Sequence, residues 1–232
     1  MTKRIAKAIA DAGVCSRRDA EKLVLAGKVS ANGERVPSPA FNVEDADEIS
    51  IDGKALPLAA PVRLYAYHKP AGLVVSHRDE RGRESVFDRL PSSCGRLLSV
   101  GRLDINSEGL LLLTNSGTAQ RMLEKGDFPR VYRVRMRGLA KQFLFDKLAR
   151  GMTVGGIRYK PIHAEIESAG ATNTWLRMTL REGKNREIRR ALGVLGHEVS
   201  RLIRVSYAGI ELGDLRPGEL REVNMPDIAK LG

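Results

Sequence analysis

A chain of 232 residues, 42% hydrophobic and 29% charged, has room for one medium domain and a small one and enough apolar material to bury a core. No apolar run approaches a membrane span and the first ten residues hold no apolar signal core, so a membrane or exported protein is not expected and a cytoplasmic one is. The net charge of +11 and the pI of about 9.9 point to a polyanionic partner, nucleic acid ahead of an anionic membrane surface.

In chain order, Ile5, Ala8, Ile9 and Ala12 recur at helical spacing, and Gly13 ends that stretch. Ser16 before Arg17, Arg18 and Asp19 has the pattern of a capped helix start, and Gly27 that of a helix end. Asn32-Gly33 between short alternating runs predicts a hairpin, because a type I′ turn needs positive φ twice. Residues 55–61 carry two prolines among small residues and read as a linker, which places a domain boundary at 60/61. Beyond it, strands are expected at 63–68, 110–113, 131–137 and 175–180. Helices are expected from Ser116 to Lys125, over 139–150, and from an Asn185 cap to Gly196. Within 131–137, Tyr132, Val134 and Met136 share one face and Arg133, Arg135 and Arg137 the other. This mixed order predicts an α+β fold: a small N-terminal αα-β hairpin module, then a domain with a mixed, mainly antiparallel sheet flanked by helices and loops.

Basic residues gather at 3–35, 130–150 and 181–204, a distribution suited to a polyanion crossing more than one module. The two cysteines, Cys15 and Cys94, form no CxxC, and the four histidines lack ligand spacing, so no metal site is expected.

Chemistry concentrates in two segments. In Val100-Gly101-Arg102-Leu103-Asp104, an extended chain would put Arg102 and Asp104 on one face. A carboxylate beside a cation is a candidate nucleophile or electrostatic stabiliser, although on spacing alone a structural Arg–Asp pair at a strand end is the more common reading. In Glu182-Gly183-Lys184-Asn185-Arg186-Glu187-Ile188-Arg189-Arg190, a loop feeds a helix start, an arrangement suited to anions. Arg189 shares a helix side with Leu192 and can turn inward, whereas Arg186 and Arg190 are expected to face phosphate; a solvated basic helix is the competing reading. Tyr132 reads as a core tyrosine or as a platform for a nucleobase.

Gly101-Arg102-Leu103-Asp104 followed by Ser107-Glu108-Gly109-Leu110 resembles the catalytic motif of RsuA/RluB-type ribosomal RNA pseudouridine synthases. Ala12-Gly13-Val14-Cys15-Ser16-Arg17-Arg18 and Gly27-Lys28-Val29-Ser30-Ala31-Asn32-Gly33 resemble an S4 RNA-binding domain. His68-Lys69-Pro70-Ala71-Gly72 and the segment 182–190 match further family segments, so the resemblance spans nearly the whole chain. Asp104-Ile105-Asn106, Val86-Phe87-Asp88-Arg89-Leu90-Pro91 and Asn185-Arg186-Glu187 lean toward the branch acting on large-subunit (23S) rRNA. Glu187 stands where many relatives carry Gln, and Ser107 where Thr is more usual.

The resemblance implies an S4 module at 1–60, a catalytic domain at 61–232 and isomerisation of uridine to pseudouridine without cofactor or metal. It implies Asp104 as the essential carboxylate, Tyr132 packed on the uracil and Arg189 as the basic residue paired with Asp104. Arg102 would help fill the gap left by the flipped base, and Lys184, Arg186 and Arg190, with Arg17, Arg18 and Lys28 of the front module, would meet RNA. The implied partner is rRNA, free or in an assembling particle, bound by a monomer. Rival expectations are a non-catalytic S4-type assembly factor, a synthase acting on small-subunit rRNA, and another RNA enzyme such as a methyltransferase. The last is disfavoured by the lack of a GxGxxG loop.

Overall fold

The computed structural model describes residues 2–223. The chain forms two compact units. One comprises residues up to Val62 with Pro91–Leu98 and Asn115–Gly117; the other comprises Arg63–Leu90, Ser99–Thr114 and the chain from Thr118 onward.

In the first unit, helices α1 (Ile5–Asp11) and α2 (Arg17–Leu25) pack with a small sheet around Ile5, Ile9, Ala20, Val24, Val29 and Val43. The Ser16 hydroxyl accepts the Asp19 N–H, as the sequence pattern requires. At the other end of α2, Gly27 at φ +70° lets its own N–H reach Val24 O and the Lys28 N–H reach Leu23 O, a Schellman closure. Strands β1 (Val29–Ala31) and β2 (Glu34–Arg35) flank Asn32-Gly33, both at positive φ. A second hairpin adds to the expected one: β3 (Ile49–Ile51) and β4 (Lys54–Ala55) turn at Asp52-Gly53, φ +48° and +76°. The strand order is β2-β1-β3-β4.

The second unit is built on a mixed sheet. Its strands are β5 (Leu64–Lys69), β6 (Glu108–Thr114), β7 (Arg130–Arg137), β10 (His163–Ala169), β11 (Asn173–Leu180), β12 (Val199–Tyr207) and β13 (Leu220–Val223), with β8 (Met152–Val154) and β9 (Ile157–Tyr159) as a separate ribbon. The order is β10-β11-β7-β12-β6-β5-β13, antiparallel throughout except for β12 beside β6. That parallel joint has only two register pairs, Ile203↔Glu108 and Arg204↔Gly109. The expected α+β class and mainly antiparallel sheet are therefore present.

Helices α4 (Gln142–Ala149) and α5 (Glu187–Val194) bury Leu144, Leu148, Ile188, Ala191 and Leu192 against Val134, Met136, Leu176, Met178 and Leu202 of the sheet. A second core gathers Leu110, Leu112, Ile203 and Tyr207 with Leu123 of α3 (Gly117–Lys125). The alternation of β7 is as expected: Val134 and Met136 are buried, Arg135 and Arg137 exposed.

The start of α5 differs from expectation. Asn185 does not cap it. Arg186 occupies the N-cap position in the left-handed region, φ +51°, and a Glu187 carboxylate oxygen instead accepts the Lys184 N–H at 3.1 Å. The Glu187 side chain thus reaches back past the N-cap to a loop N–H, while Arg186 takes the sharp bend in a conformation that non-glycine residues seldom adopt.

Candidate active site

A cleft of about 610 Å³ opens in the second unit where the 99–107 loop, strands β7 and β12 and the loop entering α5 meet. Asp104 and Tyr132 both line it, as do Arg102, Lys184 and Arg186.

Asp104 is not on a continuous extended strand. Gly101 sits at φ +67°, a conformation that suits glycine and breaks the run, and Arg102 is exposed. The expected Arg102–Asp104 pair is replaced by Arg186, whose Nη1 lies 3.7 Å from Asp104 Oδ2. Arg186, expected to face phosphate, is thus the cation nearest the carboxylate, delivered by its left-handed turn.

Arg189, expected to pair with Asp104, serves its loop instead. Its Nη1 donates to Val199 O at 2.8 Å and its Nη2 to Asn106 O at 3.2 Å. Burial pushes its pKa down, as does Arg186, and Asp104 opposes the shift through space. Arg190 is exposed and donates to Asn185. Lys184 Nζ pairs with Glu182 at 2.8 Å and lies 5.9 Å above the Tyr159 ring.

The carbonyls of residues 104–107 are all engaged. Asp104 O accepts the Ser107 N–H, and Ile105 O accepts the Gly72 N–H at 2.8 Å. Asn106 O takes Arg189, and Lys69 Nζ donates to Ser107 O at 2.8 Å, Pro70 O at 2.9 Å and Ile105 O at 3.3 Å. Lys69 is fully buried, and desolvation lowers its pKa to about 8 against the pull of Glu108 and Asp104. No sequence pattern marks this role, beyond a lysine closing an otherwise apolar strand.

The rest of the motif holds the sheet together. Arg201 grips Glu108 through two bonds of 2.9 and 2.8 Å, which keep that carboxyl low. Gly109 has φ +99°, and a Cβ there would collide with the Arg204 backbone. Thus Glu108 and Gly109 seat β12 against β6, while Asp104 just upstream faces the cleft.

Arg17 and Arg18 are exposed at the start of α2, in the first unit, and Lys28 Nζ lies 3.2 Å from Asp52 there. Among the described residues no group of three or more His, Cys, Asp or Glu side chains is arranged to hold a metal, and no helix is long and apolar enough to cross a membrane.

A carboxylate, an arginine and an aromatic ring thus line one cleft. Residues 63–193 match the family model for RNA pseudouridylate synthases and residues 3–49 that for the S4 domain. The chain belongs to the RNA pseudouridylate synthase family, in the form that carries an S4 domain. An uncharacterised RNA pseudouridine synthase of Rickettsia typhi is 42% identical over 98% of this chain and 94% of its own length. The ribosomal large subunit pseudouridine synthase B of Bacillus subtilis is 34% identical over 99% of this chain and 95% of the relative. A crystal structure of a pseudouridylate synthase superposes with a TM-score of 0.71 at 26% identity, covering 99% of both chains.

Proposed function

We propose that this enzyme converts a uridine of large-subunit rRNA to pseudouridine in the cytoplasm, acting as a monomer with Asp104 as its catalytic carboxylate. The observation that carries the reading is the Asp104 carboxylate held 3.7 Å from the Arg186 guanidinium in the cleft that Tyr132 also lines. The target base must leave its stack to enter, at a cost of a few kcal/mol that phosphate contacts offset. In the isomerisation the C1′–N1 bond breaks, the uracil turns and C5 bonds to C1′; C5 then gives up its proton and N1 gains one. Nothing is oxidised or reduced. The role of Asp104 is to supply negative charge where the glycosidic bond breaks.

In this reading Tyr132 packs on the uracil, Arg186 sets the carboxylate, and Arg189 acts through the loop that carries Asp104. Arg102, Lys184 and Arg190 meet the surrounding RNA. Residues 1–60 form the RNA-gripping module and 61–232 the catalytic domain. The large-subunit assignment is supported by the likeness to the Bacillus subtilis enzyme.

Two measurements test this. Mapping pseudouridines in rRNA from cells lacking the protein identifies the missing position. Asp104→Asn is expected to keep RNA affinity within about twofold, well inside RT, and to abolish product; undiminished turnover would reject the assigned chemistry.

A further inference from the structure

Arg130 and Arg204 line the same cleft and are 7% and 2% exposed. Among the described residues, the hydrogen bonds of both go to neutral oxygens. Arg130 donates to Phe128 O at 3.2 Å and to the Tyr207 hydroxyl at 2.9 Å, and Arg204 Nε donates to Leu110 O at 2.7 Å. Arg204 Nη2 has no hydrogen-bond partner among them. Both guanidinium carbons lie over the Tyr207 ring, at 4.5 and 5.0 Å, so two like charges share one aromatic. Glu124, one of the carboxylates lining the cleft, accepts the Gly101 N–H at 2.7 Å and forms no ion pair with either arginine among the described residues.

A buried ion is costly unless a counter-charge compensates it. Stacking on an aromatic returns only part of that cost and leaves the net charge in place. A neutral carbonyl would offer an acceptor without charge, whereas a phosphate offers both, in the geometry a guanidinium fork matches. Placement adds to this. Arg204 is the direct cross-strand partner of Tyr132, and Arg130 lies two residues before Tyr132 on β7. A base resting on Tyr132 therefore brings its own backbone next to both arginines.

We propose that Arg130 and Arg204 form a phosphate subsite inside the cleft, which binds a phosphodiester flanking the uridine that enters it. This rests on the pseudouridine reading above and names the part of the nucleotide that the cleft recognises. Opening of the subsite to the phosphate would also give Arg204 Nη2 the acceptor it lacks.

The test uses the full chain and an RNA stem-loop containing the uridine mapped in the deletion strain. The phosphodiester on either side of that uridine is replaced singly by a neutral methylphosphonate, and kcat/KM is compared with a replacement four nucleotides away. Loss of one or two charge-assisted bonds predicts a drop of roughly 10- to 100-fold at one flanking linkage only. Arg204→Met and Arg130→Met should lower kcat/KM similarly and make that linkage indifferent to methylphosphonate. Equal effects at flanking and remote linkages, or independent multiplication of variant and methylphosphonate losses, would overturn the subsite. So would coupling of Arg204→Met to 2-thio- or 4-thiouridine instead, since the guanidiniums would then be reading the base.

If the variants fail to fold, the methylphosphonate comparison with the unaltered enzyme still decides. Inorganic phosphate titrated against the arginine Nε–H resonances should in addition shift those of Arg130 and Arg204 ahead of the exposed arginines; absence of that preference counts against the subsite. Failure of the unmodified stem-loop to yield pseudouridine would instead sink the functional reading, and the phosphate titration would then judge the subsite alone.

Discussion

Glu187 and Glu182 place two carboxyl groups together at the entrance to α5, and burial pushes Glu187 toward its protonated form. Its pKa is pushed up to about 7, by burial first and with Glu182 adding to the effect against the Lys184 N–H that it accepts. Burial raises the Glu182 carboxyl, but its contacts with Lys184 and the Lys160 N–H outweigh that and draw it down. The loop between them carries Arg186 to Asp104, so one proton bears on the geometry of the carboxylate.

The sign of the resulting pH dependence follows from that raised value. A carboxyl whose folded pKa exceeds its unfolded one gives stability that is complete below about 4.5 and is lost as pH rises through about 7. Glu187→Gln, which keeps a neutral side chain of the same shape, should flatten the fall in unfolding free energy between pH 5 and 8.5. It should also hold kcat at the alkaline end. Denaturant titrations at several pH values check this; a variant with the wild-type slope would show that another group titrates. Glu187→Ala removes the acceptor for Lys184 N–H and should cost about 1–3 kcal/mol at pH 5.

Gly109→Ala should be among the most damaging single changes. It places a Cβ against the Arg204 backbone at a residue with φ +99°. A strained left-handed residue costs on the order of 1–3 kcal/mol before the collision is counted. Chemical denaturation should show at least that loss, and wild-type stability would contradict the seating of β12 on β6.

Lys69→Met should separate binding from catalysis. The three carbonyls its ammonium holds would lose their donor, and the turn carrying Asp104 would loosen. We expect kcat to drop by about 10-fold or more, in line with one lost hydrogen bond to a charged group, with the Kd for RNA little changed. Because folding depresses the Lys69 pKa to about 8, its charge costs stability below that pH and the penalty disappears toward the unfolded value of 10.5. The variant should therefore lack that rise in stability with alkalinity. A change in Kd alone would assign Lys69 to RNA binding instead.

The N-terminal unit should act through phosphate. Replacing Arg17 and Arg18 by Ala should reduce the slope of log Kd against log salt by about 1 for each phosphate that is no longer neutralised. Lys28→Ala should do less, since Lys28 already has Asp52 as a partner. Filter-binding across a salt series is sufficient, and an unchanged slope would locate the RNA elsewhere.

Much of the scaffold is legible in the sequence because it rests on local rules. Ser16, Asn32-Gly33 and the alternation of Tyr132, Val134 and Met136 each fix structure within a few residues. Asp52-Gly53 carries the same turn chemistry as Asn32-Gly33, between strands of the same three- and two-residue lengths, and is open to the same reading. The site is harder to read. Asp104 and Tyr132 come from the family resemblance, but the cation nearest Asp104 is Arg186 and not Arg102 or Arg189. That choice depends on the left-handed turn at Arg186, beside the partly buried bond from the Lys184 N–H to Glu187, and no spacing rule reports it. Lys69, Arg130 and Arg204 escape for a related reason. Most of their partners are carbonyls and a ring far away in the sequence, and spacing offers only a charged residue inside a strand of buried neighbours, as in Leu202-Ile203-Arg204.

The two-pair parallel joint between β12 and β6 has a consequence for how this enzyme fails. The cleft draws Asp104 from one flank of that joint and Tyr132 from the other, and across it the two strands share only those two register pairs and the apolar contacts of Leu110, Leu112, Ile203 and Tyr207. Gentle heating or dilute denaturant acts first where the fewest bonds must yield. Activity should therefore vanish while circular dichroism still reports a nearly complete sheet, and amide exchange should quicken at Ile203 and Arg204 before it does along β7. The working centre of the molecule doubles as its fuse.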